Sequence, residues 1–321
     1  MILVTGGTGF VGSHLLDSLS ARGEPARCLL RPTPAPRRLP PGIEAAPGDL
    51  ITGQGLDSAL DGVDIVIHLA GVTKALSPAA YYRGNARATH TLASALQGRS
   101  VRLVHVSSLA AIGPSLDGAP VSEDAIPHPL TNYGRSKLEG ERIARALVPD
   151  CVVVRPPVVY GPRDKDLFQI FKSIARGIVF EISGGERLFS AIYVHDLVDG
   201  LLNAARHPNA HGRDYFLASA TPFAWSELSA AAARIMGCRP RLVRVPVPIA
   251  RAIGFCAELG SHLTRNPGII SREKVAEASC RAWICDTRRA AAELGFIAPT
   301  PLEVGLAQTL AWYKEAGWLK Y

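Results

Sequence analysis

Three side chains in this sequence are of types that can move a proton together: Ser108, Tyr133 and Lys137. Tyr133 and Lys137 are four positions apart, so on a helix they share one face. A free phenol has a pKa of about 10, too high for ready proton exchange near neutrality. An ammonium beside it favours the phenolate and lowers that value. Ser108 follows an apolar run and can hydrogen-bond the same substrate oxygen, orienting it. The trio can pass a proton to or from an alcohol or carbonyl oxygen. A tyrosine and a lysine at this spacing also occur by chance as an ordinary surface pair. The weight therefore comes from the company they keep.

That company begins with the first dozen residues, MILVTGGTGFVG. Residues 2–4 read as a buried strand and residues 11–19 as a helix, with Gly6, Gly9 and Gly12 between and within them. Strand, glycine turn and helix together bring backbone N–H groups onto a pyrophosphate. Gly6 allows a tight turn, Gly9 lets the backbone approach the phosphates, and Gly12 lets the helix pack close to the sheet. The spacing is GxxGxxG, not GxGxxG, and a bare glycine triplet can be only a loop. Its place in the first strand-to-helix turn sharpens the reading. With a dinucleotide held there, a nicotinamide would pass a hydride at carbon while the trio passes a proton at oxygen.

The elements that must position these residues alternate between strand and helix. Strands are predicted at 26–30, 43–46, 63–69, 101–106 and 151–154, and helices at 82–97 and 133–147. Residues 63–69 are nearly all apolar, as in a parallel strand buried on both faces. This rhythm predicts an α/β fold with a doubly wound parallel sheet of Rossmann type. It loosens after Gly161. Helices are expected at 167–176, 196–205, 225–236, 248–263, 289–294 and 302–316, and short strands at 191–194 and 215–218. Residues 1–161 thus read as a dinucleotide-binding domain. Residues 162–321 read as a smaller, mainly helical substrate lobe with segments returning to the sheet.

Composition limits the partners. The 321 residues carry a formal net charge of +7, but the arginines are scattered and no basic run exceeds two residues. That pattern suits a charged surface with room for one anion site and does not suggest nucleic acid. The six cysteines include no CxxC pair, and Cys28 and Cys151 lie in strand-like runs, as reduced thiols do. Cys280 and Cys285 lack histidines at metal spacing, so no metal site is expected. The chain enters its first strand at once, which argues against a signal peptide, and no run is long enough to span a membrane. A cytoplasmic protein acting on a small molecule is the expectation; a homodimer is compatible with it.

Taken together, the motifs resemble the extended short-chain dehydrogenase/reductase superfamily. The matching residues are TGGTGFVG at 5–12, GDL at 48–50, HLAG at 68–71, Asn85, the pair Ser107 and Ser108, YGRSK at 133–137 and RPPVVYGP at 155–162. They occur in the family's order along the whole chain. The resemblance implies cofactor contacts at Gly6, Thr8, Gly9, Phe10, Val11 and Gly12, at Asp49 with Leu50 for the adenine, and at Leu69, Ala70 and Gly71. Ser107, Tyr133 and Lys137 would continue the cofactor site, with Lys137 on the nicotinamide ribose and Pro156 and Val158 beside the nicotinamide. Ser108 would be the catalytic serine. Asn85 would support Lys137 through water; otherwise it is a polar residue on a helix surface.

Departures from the superfamily's patterns narrow the reaction. Members that dehydrate nucleotide sugars carry an acidic pair where this chain has Leu109 and Ala110. Sugar epimerases commonly have an asparagine near Val158 and an arginine near Phe189, both holding a diphosphate. An apolar lining suits a small or greasy carbonyl better. Trp283-Ile284-Cys285-Asp286 and the ending LAWYKEAGWL look like bacterial relatives of the 3β-hydroxysteroid dehydrogenase and dihydroflavonol-reductase branch. The expected activity is a nicotinamide-dependent oxidoreductase interconverting a hydroxyl and a carbonyl. A nucleotide-sugar epimerase and a non-catalytic dinucleotide binder are the alternatives.

The second strand bears on cofactor choice. A site selecting NAD usually ends this strand with an acid that accepts from the ribose 2′-OH. Leu30 stands there, and no acid follows until Glu44. Arg31 can offer a forked guanidinium to a 2′-phosphate, with Arg37 and Arg38 closing over it, so NADP is preferred to NAD. If Arg31 points only into solvent, either cofactor serves. Elsewhere Asp196 reads as an N-cap and His68 as a packed strand-end residue. Ile249, Ile253, Cys256 and Leu259 share one helix face, read as core-facing; a membrane-skimming helix is the alternative.

Overall fold

The computed structural model describes residues 1–32, 38–268 and 270–321. Six strands run through the first half: β1 Ile2–Thr5, β2 Ala26–Leu30, β3 Ile43–Pro47, β4 Ile65–His68, β5 Arg102–Val106 and β6 Val152–Val154. With Asp214–Tyr215 they form a seven-stranded sheet in the order Asp214–Tyr215, β6, β5, β4, β1, β2, β3. Every pairing in this sheet is parallel. The order reverses beside β1, so the carboxyl ends of β1 and β4 flank the crevice where such sheets place ligands. Six of the seven strands thus come from the expected alternation and the seventh returns from the second half, so the doubly wound Rossmann fold is borne out.

Helices α1 Phe10–Ala21, α2 Leu56–Leu60, α3 Pro78–Tyr82, α4 Ala88–Leu96 and α5 Asn132–Leu147 connect the strands. Alternation along the strands sends residues to opposite faces. Ile2 and Val4 pack with Leu15, Leu16 and Leu19 of α1. Leu3 packs on the other side with Leu56, Leu60, Leu92 and Leu96. The helix expected over 82–97 begins earlier, at Pro78, where Ser77 caps it. It is interrupted by a π-helical turn, Arg83–Arg87. Such turns bulge a helix locally and re-aim one side chain, here Asn85.

The second half holds α6 Asp166–Ala175, α7 Val194–Arg206, α8 Trp225–Ile235, α9 Val247–Thr264, α10 Arg272–Ser279, α11 Arg288–Leu294 and α12 Leu302–Glu315. Tyr160, Phe171, Leu228, Leu306, Leu310 and Tyr313 form a separate core there. Four features differ from the sequence reading. A parallel ribbon of Ile178–Ile182 with Arg241–Val245 was not expected, nor was α10. Asp196 lies inside α7 rather than at its cap. Its carboxylate instead accepts from the Thr300 amide (3.0 Å) and hydroxyl (2.7 Å), tying α7 to the segment before α12. The fourth difference is α9. It buries only Ala250 and Gly254, while Ile249, Ile253, Cys256 and Leu259 are exposed. The core-facing reading of that apolar face is therefore wrong.

Candidate active site

The glycine turn fits its assigned roles. Gly6 has φ +73°, and a Cβ there would stand 2.6 Å from the Ala70 amide. A Cβ on Gly12 would meet the Gly6 carbonyl at 2.2 Å. Gly9 occupies the N-cap of α1 and offers no side-chain cap, leaving the first helical N–H groups to an anion. The turn is thus a cradle that any side chain would fill, and it fits a pyrophosphate. Across the crevice, the Leu69 amide donates to the Thr5 carbonyl (3.1 Å) and the Ala70 amide to the Thr5 hydroxyl (3.3 Å), so the HLAG segment is pinned beside the turn.

Beneath that segment lies a chain of buried hydroxyls and a histidine. The Thr89 hydroxyl donates to the Asn85 carbonyl (2.6 Å), which uses its single proton. His68 Nε2 must then be the donor in its 3.1 Å contact with Thr89, and His68 Nδ1 accepts from Thr5 at 2.7 Å. Burial, aided by the charge of Lys137, pushes the His68 pKa down to about 3. The ring is a neutral strut, in keeping with the packed role expected of it.

Asn85 is 2 % exposed, which excludes the helix-surface reading. Its carboxamide accepts from the Val72 amide (2.7 Å) and donates to the Val72 carbonyl (3.0 Å) and the Ser136 hydroxyl (2.8 Å). Ser136 donates on to the Tyr133 carbonyl at 2.7 Å. Asn85 therefore locks the post-β4 loop against α5; among the described residues its side-chain hydrogen bonds go to Val72 and Ser136.

Helix α5 starts at Thr131, whose hydroxyl accepts from the Gly134 amide at 3.1 Å. Gly134 permits close approach: a Cβ there would lie 2.2 Å from the Ala110 carbonyl. This brings Tyr133 to the end of β5, beside the turn that Ser108 caps. That turn is Leu109–Ala111, and the Ser108 hydroxyl accepts from the Ala110 amide at 3.2 Å. Pro156 joins the same place, its carbonyl accepting from Leu109 N–H at 2.9 Å. One turn along α5, Lys137 is buried and donates to the Val106 carbonyl at 2.7 Å. Its pKa falls to about 8, chiefly through burial, with Glu141 opposing. Burial raises the Tyr133 pKa above the usual phenol value, and Ser108 and the charge of Lys274 partly counter it.

Lys274 belongs to α10, which sequence reasoning missed together with its neighbours. Glu273 accepts from the Asn132 amide (2.9 Å) and carboxamide (2.6 Å), and Glu277 accepts from Thr131 (3.2 Å) and Lys274 (2.7 Å). Two carboxylates at the N-terminus of α5 suit its dipole. Ser271 followed by Arg-Glu-Lys-Val-Ala-Glu-Ala is a helix-start signal that could have revealed this element. Tyr81, 6.3 Å ring to ring from Tyr133, carries no sequence signal.

The remaining expected residues fall around this centre. Asp49 turns its own loop, accepting from the Ile51 (2.6 Å) and Thr52 (3.1 Å) amides, with Leu50 beside it. Ser107 is buried and its hydroxyl has no partner among the described residues. Val158 is 38 % exposed, and Phe189 sits among Phe223 and Trp225. The nearby Arg187 is spent on backbone carbonyls of Ile182, Gly185 and Ser183. Arg31 is exposed, and among the described residues it makes no ion pair. Glu44 is held by Arg27 at 2.9 Å. Arg38 is exposed; Arg37 lies outside the described residues.

A parallel sheet with a glycine cradle at its switch point and a Ser–Tyr–Lys group at the next strand end defines a dinucleotide-dependent α/β protein of Rossmann type. The sequence model of the NAD dependent epimerase/dehydratase family matches residues 2–218. The chain belongs to that family, within the extended short-chain dehydrogenase/reductase superfamily. It is 32 % identical to the ceramide reductase of Caulobacter vibrioides over 99 % of this chain and 96 % of that protein. It is also 32 % identical to the 4-hydroxy-2-methyl-3-oxo-4-farnesyl-3,4-dihydroquinoline-1-oxide ketoreductase of Stigmatella aurantiaca, over 82 % of this chain and 80 % of the other. Among solved structures, MoeE5 in complex with UDP-glucose and NAD matches with TM-score 0.78 and 28 % identity, covering 98 % of this chain and 99 % of that one. These relatives include oxidoreductases and, in the wider set, epimerases, which supports an enzyme using a nicotinamide dinucleotide.

Proposed function

We propose that this chain reduces a ketone on a lipophilic molecule, with NADPH as the preferred hydride source. The observation that carries the reading is the close packing of the start of α5, which bears Tyr133, on the Ser108 turn at the carboxyl end of β5, with Lys137 buried one turn behind. A bound nicotinamide dinucleotide supplies the hydride at the carbonyl carbon. The residues of this chain manage the oxygen. Ser108 orients it. Tyr133, kept protonated by burial, is a phenol ready to donate, so the alcohol O–H forms as the phenol O–H breaks. Lys137 keeps a positive charge below pH about 8, which opposes charge left on the phenol oxygen. Asn85 and Ser136 hold the loop and helix that carry these groups.

The residues at the places where epimerases grip a diphosphate support a lipophilic substrate. Val158 and Phe189 are apolar, and the terminal nitrogens of Arg187 are taken by backbone carbonyls. A diphosphate desolvated there would lack a partner. The reductase relatives support the same class. The likeness to MoeE5 with UDP-glucose favours the second reading, a nucleotide-sugar epimerase. A screen separates them: purified protein, NADPH or NADH, and a panel of long-chain ketones, sterol ketones and UDP-glucose. NADPH oxidation with a lipophilic ketone is expected. Isomerisation of UDP-glucose with no ketone turnover would replace this reading by the epimerase.

A further inference from the structure

Helix α9 is built in an unusual way. It packs on α10 through small residues: a Cβ on the buried Gly254 would lie 3.0 Å from the Val275 side chain and 3.1 Å from the Ser271 carbonyl. Its large apolar residues point the other way. At about 100° per residue, Ile249, Ile253, Phe255, Leu259 and Leu263 fall on one half of the helix, opposite Ala250 and Gly254. Leu263 is 79 % exposed and Phe255 54 %. Leu242 and Val243, on the strand leading into α9, are exposed as well. Isolated exposed apolar residues need no explanation, but a continuous patch of this kind marks a contact surface.

The charge around the patch indicates what it contacts. Residues 239–272 contain six arginines and one glutamate as their ionised groups apart from histidine. Glu258 is held by Arg272 at 2.9 Å, and Arg272 also lies 5.6 Å from the Phe255 ring. Among the described residues, Arg239, Arg241, Arg251 and Arg265 are exposed and make no ion pair. A second copy of this chain docked by two-fold symmetry would bring these like charges together. An anionic lipid surface would satisfy both the apolar face and the arginines, the arrangement of an interfacial helix. No described helix is long and apolar enough to cross a membrane, so the helix would lie in the surface plane.

We propose that the exposed face of α9 docks this protein on an anionic lipid surface. Through α10, whose Glu273 and Glu277 hold Asn132 and Thr131, the docked face is joined to the start of the helix bearing Tyr133. Docking does not depend on the reductase reading, and its test uses no turnover.

The experiment is co-sedimentation of the full chain with vesicles, either phosphatidylcholine alone or phosphatidylcholine and phosphatidylglycerol in equal parts. Binding is expected to the mixed vesicles and to fall with added salt. Ile253→Asp with Leu263→Asp should lower partitioning on the order of tenfold or more per site, because each removes apolar burial. Arg251→Glu with Arg265→Glu should lower it roughly fivefold or more per site. All four residues are exposed, so thermal melting should stay near that of the parent. No binding by the parent chain, or equal binding by parent and both variants, overturns the proposal. So does light scattering that shows a dimer abolished by the Ile253 and Leu263 changes.

Discussion

Helices α1 and α9 are both apolar along one side, and they turn that side in opposite directions. α1 buries Leu15, Leu16 and Leu19 beneath the sheet. α9 buries alanine and glycine and exposes isoleucine, phenylalanine and leucine. Periodicity identifies an apolar face; what it meets is decided by the surface on offer. The strands beside α1 present Ile2, Val4 and Ile67, so the leucines are covered. α10 presents Val275 and a backbone turn, into which only small residues fit.

The comparison makes graded predictions. Leu16→Ala should cost about 2–5 kcal/mol of stability, because a fully buried leucine leaves a cavity. Urea unfolding measures it, and a cost near zero would mean that α1 does not pack as described. Next comes the crevice that α1 borders. Arg31→Ala should weaken NADP binding tenfold to a hundredfold, the effect of a charge-assisted hydrogen bond worth about 1.5–3 kcal/mol. Dissociation constants for both oxidised cofactors decide it; tighter NAD binding by the parent chain would overturn the NADP assignment.

Acid should loosen the α1 side as well. Burial holds the pKa of His68 at about 3 and that of His14, on α1, at about 4, and that of His105 well below its usual value. Each folded pKa is lower than the unfolded value of about 6.5, so the unfolded chain binds more protons as pH falls. Stability should therefore drop from about pH 6.5 downward, by roughly 2 kcal/mol at pH 5 for His68 alone. Asp164, pushed up to about 6 by burial, and Glu123, also raised by burial, work in the opposite sense against the three histidines. Melting curves across this range that stay flat would contradict the buried-neutral assignment. The smallest effect belongs to α9: Ile253→Ala should change stability by under about 0.5 kcal/mol. A loss comparable to that of Leu16→Ala would mean that the face is covered within the chain.

The same contrast explains what the sequence made legible. Glycine turns, the strand-end serines and a tyrosine–lysine pair are local chemistry, readable from neighbours a few residues apart. Ser108, Tyr133 and Lys137 are read that way; the fold sets Ser108 at the end of β5 and the other two on the first two turns of α5. The grip of Glu273 and Glu277 on the start of α5 joins residues more than a hundred positions apart, and no spacing announces it. Asn85 was found through its motif context, but its clamp on Val72 depends on a π-helical turn that propensity does not encode. Burial has the largest effect on the ionisation of Tyr133 and raises its pKa. Such energies come from what is buried around a group, which a linear chain does not display.

The central claim is that Tyr133 donates the proton to a ketone oxygen. Its most direct test is steady-state ketone reduction by the Tyr133→Phe variant, on a substrate confirmed with the parent chain, alongside NADPH affinity. The account predicts a loss of roughly 10²-fold or more in kcat with cofactor binding nearly unchanged. Turnover by the phenylalanine variant at the parent rate would contradict it.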